Sequence, residues 1–266
     1  MSETIKLSSP QTRQFWEIPI LLEQGPLLAL NKPSGLLVSP DRYDPARANL
    51  MGLLHRDIER GAPWAKKRGL AYLMNAHRLD LETSGVLLLV KSKEALMELA
   101  NQFASPKPRK IYAALARGSS SEDQFEVVAN LAPHPFQPAL MRVSAKGGKA
   151  SRTQFRVRER FRGFLLLECR PFTGRTHQIR AHLRHLRLPI VGDSLYGGPG
   201  LFLSSLKTDY RRKAGQAERA LIGRTALHAE ELAVFEPSTG REVTITAPWP
   251  KDLSVAVKYL RRFAPI

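Results

Sequence analysis

The 266-residue sequence predicts a mixed α+β fold with one main domain. Short apolar runs that end at turn residues, such as residues 86–90, are typical of buried strands. Segments with an apolar residue every three or four positions, such as residues 93–103, are typical of amphipathic helices. No repeat, low-complexity tract or linker divides the chain. We therefore expect residues 26–266 to form the domain and residues 1–25 to form an N-terminal extension packed against it.

Turn residues and apolar spacing predict the other elements in order. Leu50, Leu54 and Ile58 recur every four residues and predict a helix that ends before Gly61. The turn Arg162-Gly163 predicts that the strands on either side of it pair antiparallel. Residues 119–138 are rich in turn residues, and we expect a loop there. The remaining predicted elements are strands at 27–30, 36–38, 86–90, 109–115, 153–158, 164–169, 226–235 and 242–246, helices at 93–103 (ending at Ser105-Pro106), 176–187 (capped by Thr173 or Thr176) and 253–263, and a surface excursion at 199–223.

The composition favours a nucleic-acid partner in a reducing compartment. There are 41 basic and 24 acidic residues, and the net charge of +17 attracts polyanions. A basic surface can also serve solubility alone. The single Cys169 cannot form an intramolecular disulfide and is typical of an ordinary strand residue. No signal peptide or membrane-length apolar run is present, so we expect a soluble cytoplasmic protein.

The stretch His-Arg-Leu-Asp-Leu-Glu-Thr-Ser-Gly at residues 77–85 places Asp80 in a turn just before a buried strand. The apolar neighbours Leu79 and Leu81 indicate a partly shielded carboxylate, and such a group requires a nearby cation to stay ionised. An alternative interpretation is that Asp80 caps local backbone amides and that Arg78 is solvated.

Two further stretches decide between these interpretations. They are Asn-Lys-Pro-Ser-Gly at residues 31–35 and Arg-Thr-His-Gln-Ile-Arg-Ala-His-Leu at residues 175–183. Together with residues 77–85, with Lys-Ile-Tyr-Ala at 110–113 and with Leu-His-Ala at 227–229, they closely resemble the RluA family of pseudouridine synthases. These enzymes isomerise uridines in ribosomal or transfer RNA. The resemblance runs from about residue 28 to residue 250.

The resemblance implies a largely antiparallel central sheet with flanking helices and a catalytic cleft. It implies that Asp80 is the catalytic nucleophile and that Tyr112, otherwise typical of strand packing, stacks on the target base. Arg175 is the expected cation beside Asp80, because arginine stays charged and can bind a carboxylate through two hydrogen bonds. Arg78 is expected to fill the gap left by a flipped uridine, and Ile179 to line the pocket. The expected substrate-binding set also contains Lys32, as a phosphate contact, and His77 and Thr83.

The reaction implies no cofactor, and we expect none. The histidines at 177, 182 and 185 suggest a metal site, but the four nearby arginines and the absence of a local acidic or cysteine ligand argue against it. About 25 residues precede the first motif, too few for the N-terminal RNA-binding domain of many relatives. Target choice would then rest on the basic segments 56–68 and 207–213. Trp64, within the first of these, could stack on a base or anchor its own loop.

Two other functions are compatible with parts of the sequence. A non-catalytic RNA-binding protein could keep the fold, but the presence of Asp80, Tyr112 and Arg175 argues against it. A base-flipping glycosylase would release free base, and no feature of the sequence favours hydrolysis. We therefore expect a monomeric RNA pseudouridine synthase. Which RNA and which uridines it modifies, and whether Asp80 attacks ribose C1' or uracil C6, are left open by the sequence.

Overall fold

The computed structural model describes residues 3–41, 44, 46–105, 107–137, 139–211 and 215–266. Chain contacts divide it into two compact units, one of Met1–Arg109 with Ala229–Pro248 and one of Lys110–His228 with Trp249–Ile266. The helices are α1 (Leu50–Glu59), α2 (Pro63–Lys66), α3 (Lys93–Phe103), α4 (Gln178–His185) and α5 (Lys251–Phe263). The strands are β1 (Thr4–Ser9), β2 (Gln14–Gln24), β3 (Leu27–Lys32), β4 (Met74–Asn75), β5 (Ser84–Val90), β6 (Arg109–Arg117), β7 (Gln124–Pro133), β8 (Met141–Ser144), β9 (Lys149–Phe161), β10 (Phe164–Pro171), β11 (Leu227–Phe235) and β12 (Glu242–Thr246).

The first unit is built on strands in the order β1-β2-β3-β5-β11, with β4 also paired to β5 and β12 to β11. All seven residues of β5 are buried, as expected for a strand covered on both faces. Helix α1 begins at Asn49, whose side chain accepts a hydrogen bond from the Gly52 amide, and α3 begins at Ser92, which caps Ala95 in the same way. The expected strand at 86–90 and the helix at 93–103 are confirmed.

The second unit contains strands in the order β6-β10-β9-β7-β8. The pairs β6–β10, β10–β9, β9–β7 and β7–β8 are all antiparallel. Apolar residues of α4 and α5, including Ile179, Leu183 and Leu260, join the strands in one buried core. The predicted mixed α+β class with largely antiparallel pairing is confirmed.

Residues 1–25, expected as an N-terminal extension packed against the domain, contain the β1–β2 hairpin, and β2 pairs with β3. Three predictions about elements are corrected by the structure. Residues 119–138, predicted as a loop, contain β7. In place of a strand at 36–38 there is a single bridge between Leu37 and Asn49. The helix predicted at 176–187 is the shorter α4. It begins after His177, whose backbone is in the left-handed region, and no threonine side chain caps it. Pro106, predicted to follow α3, lies outside the described residues.

None of the helices in the described ranges is long and apolar enough to cross a membrane.

Candidate active site

Asp80 lies in a tight turn that leads directly into β5. The Thr83 amide donates a hydrogen bond to the Asp80 carbonyl at 3.2 Å, and the Asp80 side chain is half-buried. The turn is joined to the Asn-Lys-Pro-Ser-Gly segment, because the Gly35 amide donates to the Leu81 carbonyl at 2.9 Å. Two of the three motifs therefore form one structural element in the first unit.

Gly85 fixes how the chain enters β5 after this turn. Its φ of +113° is unfavourable for residues with a side chain, and a Cβ there would lie 2.1 Å from the Ala229 carbonyl oxygen. The Leu-His-Ala segment of β11 therefore passes directly against the glycine of the aspartate motif. This packing explains why glycine occupies position 85.

Lys32 is a buried cation beside the Asp80 turn. Its side chain has no exposed surface, and its Nζ donates to the carbonyls of Pro33, Leu36 and Leu81 at 2.8, 2.7 and 3.2 Å. The prediction that Lys32 contacts RNA phosphate is wrong, because a fully buried ammonium held by backbone carbonyls is not presented to a ligand. Lys32 instead holds the loop from inside and places a positive charge next to the residue that follows Asp80.

The other predicted residues of the first unit differ in exposure. Arg78 is exposed, as a residue that enters RNA must be. His77 is half-buried; its Nε2 accepts from the Leu88 amide at 3.1 Å and its ring lies 5.2 Å from that of Phe103, so it supports the strand. Thr83, expected to bind substrate, is 2% exposed, and this burial closes its side chain to a ligand.

In the second unit, Tyr112 and Ile179 contribute to the same apolar cluster. Tyr112 is opposite Cys169 in the β6–β10 pair, is half-buried, and packs against the core cluster to which Ile179 belongs. Ile179 itself is 5% exposed. An aromatic ring partly open to solvent can hold a flat base by stacking.

Arg175 is held by a network centred on the buried Gln178. The Gln178 Oε1 accepts from the Arg175 amide at 3.0 Å and from the Thr173 hydroxyl at 2.7 Å, while its Nε2 donates to the Arg152 carbonyl at 2.9 Å. The exposed Arg175 side chain donates from Nε to the Ala150 carbonyl at 3.0 Å. The loop before α4 is thereby fixed to β9, and the Arg175 guanidinium is oriented by a backbone contact.

Two polar groups on α4, for which the sequence predicts no buried partner, are buried. Arg180 binds Asp193 through two hydrogen bonds, Nε to Oδ2 at 2.6 Å and Nη2 to Oδ1 at 2.8 Å, and its guanidinium lies 4.8 Å from the Tyr196 ring centroid. His182 has no exposed surface and lies 2.8 Å from the Ser151 hydroxyl and 3.0 Å from the Thr153 hydroxyl. Burial, with a smaller contribution from His185, lowers the pKa of His182 to about 4, so the ring is neutral near pH 7. No group of three or more potential metal ligands occurs within the described ranges.

A family model described as RNA pseudouridylate synthase matches residues 26–185, more than half of the chain. The chain belongs to the RNA pseudouridylate synthase family. A "Ribosomal large subunit pseudouridine synthase D" of Xylella fastidiosa is 40% identical over 244 residues, which cover 92% of this chain and 70% of that protein. The protein of the same name from Xanthomonas campestris pv. campestris is 37% identical over 261 residues, covering 97% and 73%. The predicted RluA-family membership and the enzyme class, an RNA uridine isomerase, are thereby confirmed.

Two solved structures share the pseudouridylate synthase fold. Human RNA Pseudouridylate Synthase Domain Containing 1 aligns with a TM-score of 0.63 and 23% identity, covering 88% of this chain and 84% of that one. Human RNA Pseudouridylate Synthase Domain Containing 4 aligns with a TM-score of 0.64 and 23% identity, covering 91% and 92%.

For this synthase, the candidate residues fall into two sets that the chain supplies separately. Asp80, Arg78 and His77 belong to the first unit, and Tyr112, Arg175 and Ile179 belong to the second. The pairing of Asp80 with Arg175 and the roles of the other residues in substrate binding stay predictions.

The basic segments expected to select the target RNA are described in part. Trp64 is half-buried and its Nε1 donates to Asp57 at 3.2 Å, which favours the loop anchor over the base-stacking alternative. Arg68 is also engaged, by Glu3 and Glu23 at 2.7 and 2.8 Å. In the segment 207–213, Arg212 and Lys213 lie outside the described residues.

Proposed function

We propose that this chain isomerises specific uridines of large-subunit ribosomal RNA to pseudouridine, with Asp80 as the nucleophile. The observation that carries the proposal is the half-buried Asp80 at a turn held by Lys32, Gly35 and Gly85 within the aspartate motif of the family. The ribosomal substrate is inferred from the curated relatives, whose names state that they act on the large ribosomal subunit. A cytoplasmic location and a monomeric state are further parts of this proposal.

The reaction breaks the bond between ribose C1' and uracil N1 and forms a bond between C1' and C5. The hydrogen on C5 leaves as a proton and N1 gains one, so no electrons are exchanged and no cofactor is needed. The chain must supply a carboxylate that adds to the substrate and a site that holds the detached uracil while it turns. Asp80 is proposed for the first task, with attack at C1' and attack at C6 both open.

Arg175 is proposed to keep Asp80 ionised and oriented. Partial burial disfavours a carboxylate, and a guanidinium offsets that cost through charge and paired hydrogen bonds. The Arg175 Nε donates to the Ala150 carbonyl, and the two terminal nitrogens are proposed to bind the carboxylate. Gln178 acts as a positioning residue because it holds the Arg175 backbone.

The target uridine has to leave the RNA stack, at a cost of a few kcal/mol. The exposed Arg78 is proposed to occupy the vacated position, and Tyr112 with Ile179 is proposed to receive the base. Phosphate contacts by the basic surface would offset the cost of extrusion.

Replacing Asp80 by Asn tests the nucleophile. We expect pseudouridine formation to fall by at least about 10³-fold while RNA affinity stays within a few-fold, because an amide keeps the shape of the carboxylate and removes its nucleophilicity. Product is measured by carbodiimide labelling of a large-subunit RNA transcript, and an unchanged RNA mass separates isomerisation from base release.

Glu82→Gln is the matched control, since it removes a carboxylate two positions along the same turn. It is expected to retain activity. Full activity of Asp80→Asn would refute the assignment of the nucleophile.

A further inference from the structure

Three arginines surround one buried carboxylate on the β9–β10 strand pair. Glu168 accepts at Oε2 from Arg156 at 2.5 Å and from Arg158 at 3.1 Å, and at Oε1 from Arg170 at 2.7 Å. The Glu168 side chain is 4% exposed, whereas those of Arg156 and Arg170 are 54% and 48% exposed. We call these four residues the arginine cradle.

The cradle lies on the face of the sheet opposite to Tyr112. Tyr112 is directly opposite Cys169, and Glu168 is opposite Arg156, which is in turn opposite Gln124. Directly opposed residues of an antiparallel pair point to the same face, and consecutive residues point to opposite faces. The cradle is therefore separate from Tyr112, the proposed stacking residue of this unit.

The cradle keeps an excess of positive charge. Burial on its own would raise the pKa of Glu168, but the hydrogen bonds and charges of the three arginines outweigh burial and hold that pKa below its ordinary value. One ionised carboxylate cannot balance both half-exposed guanidinium groups of Arg156 and Arg170. Positive charge therefore remains on this surface.

The remaining donors of the cradle are oriented before any ligand arrives. Arg156 uses Nη2 and Arg170 uses Nε to bind Glu168, and their other guanidinium N–H groups have no acceptor among the residues that the structure describes. Since Glu168 fixes both side chains, a ligand would bind with little further loss of side-chain entropy. Between them lies an open depression of about 250 Å³, bordered by the amide side chains of Gln124 and Gln154.

We infer that the arginine cradle binds backbone phosphate of the substrate RNA, outside the catalytic pocket. A planar guanidinium matches phosphate oxygens bidentately, and amide side chains add hydrogen bonds to phosphate or ribose. The depression is open, as a surface for a continuous polyanion must be. This inference rests on the proposed function for the identity of the polyanion.

The test compares the double variant Arg156→Gln/Arg170→Gln with the wild-type protein. A uridine-containing RNA oligonucleotide is titrated at several salt concentrations, and KM and kcat are measured on a large-subunit RNA transcript. We expect the slope of log Kobs against log salt to decrease in magnitude by about 1 to 2, since each lost phosphate contact removes about one released counterion. KM should rise several-fold with kcat unchanged.

Arg162→Gln/Arg241→Gln is the matched control. Both arginines are exposed in hairpin turns and form no ion pair within the described ranges, so the same charge is removed without touching the cradle. The control is expected to keep the wild-type slope. An equal decrease in both double variants would mean that only net charge matters and would overturn the site.

Gln154→Glu provides a variant that leaves the ion pairs of Glu168 intact. An added carboxylate at the border of the depression should repel phosphate and lower RNA affinity with an unchanged unfolding midpoint. If the double arginine variant does not fold, this variant tests the cradle: lower RNA affinity supports phosphate binding there, and unchanged affinity contradicts it.

Unchanged slope and KM in the cradle variants, with pseudouridine formed by the wild type, would overturn the cradle and leave the proposed function standing. The arginines would then serve strand pairing or an acidic protein partner. If the cradle variants show a decreased slope but the wild-type protein forms no pseudouridine, the cradle is supported and the proposed function is refuted.

Discussion

His182 is buried in a neutral form, and this creates a pH-dependent contribution to stability. The unfolded chain binds a proton near pH 6.5, whereas the folded protein resists it until about pH 4. The stabilisation is complete above pH 6.5 and is lost as the pH falls towards 4. The two hydroxyl groups beside the ring, of Ser151 and Thr153, hold the neutral form in place.

We predict that the free energy of unfolding falls by about 2 kcal/mol between about pH 7.5 and about pH 5, and that His182→Gln removes most of this fall. Carboxylates whose pKa is lowered, such as Glu168 and Asp252, add their dependence only at lower pH. Urea denaturation at each pH measures the effect. The exposed His185→Gln is the control, and an equal loss of pH dependence in both variants would contradict the account.

Gly85 is the residue with the least tolerance for a side chain in the aspartate motif. We predict that Gly85→Ala costs about 3 kcal/mol or more, because the added Cβ meets the Ala229 backbone and the φ is strained. Gly35→Ala is the comparison: φ is +81° there, but nothing lies within 4 Å of the added atom, and about 1 kcal/mol is expected. Denaturation midpoints measure both, and equal costs would exclude the contact with Ala229 as the cause.

Individual residues also mark where inference from the sequence stops. Asp80, Tyr112 and Arg175 are found by their motifs, since the motif specifies the residue type and its neighbours. Lys32 is predicted at the surface as a phosphate contact, and the sequence predicts no burial for Arg180, because the partner that satisfies a buried charge is commonly distant in sequence. For Lys32 one such partner is the Leu81 carbonyl, and for Arg180 it is Asp193; neither is deducible from local sequence.

Helix α4 is attached to the following loop by the buried Arg180–Asp193 pair. The side chains of the two residues are 9% and 1% exposed, in contrast to the Arg261–Glu159 pair at 57% and 33%. Removing one partner of a buried pair leaves an uncompensated charge, whereas an exposed pair is screened by water and salt.

We therefore predict that Arg180→Met destabilises the protein by about 3–5 kcal/mol and Arg261→Met by less than about 1 kcal/mol. Equilibrium denaturation measures the difference. Adding Asp193→Asn to Arg180→Met should recover part of the loss, and similar costs for the two single variants would contradict the burial argument.

At the level of elements, the spacing of apolar residues correctly predicts the helices and strands whose apolar pattern is uninterrupted. Helices α1 and α3 and strand β5 follow from one apolar stripe or one apolar run. Strand β7 does alternate, with Phe125, Val127, Ala129 and Leu131 directed inward, but turn-rich residues on both sides obscured it. Strand β2 changes register between Ile20 and Leu22, and such a bulge interrupts the period of two.

For the molecule as a whole, the net charge of +17 fits an enzyme that holds a polyanion while it works on one base. The proposed nucleophile Asp80 belongs to the first unit, and Arg175 and Tyr112 belong to the second. Sequence motifs predicted this set of residues because the chemistry constrains them. The identity of the target uridine depends on surface shape and on segments such as 207–213, which carry no motif.

The most direct test of the central claim is pseudouridine mapping of total RNA from three strains: with the gene, without it, and with an Asp80→Asn copy restored. The account predicts that one or a few uridines of large-subunit ribosomal RNA lose their modification on deletion, regain it with the wild-type gene and do not regain it with Asp80→Asn. Identical maps in all strains, or full restoration by Asp80→Asn, would contradict it.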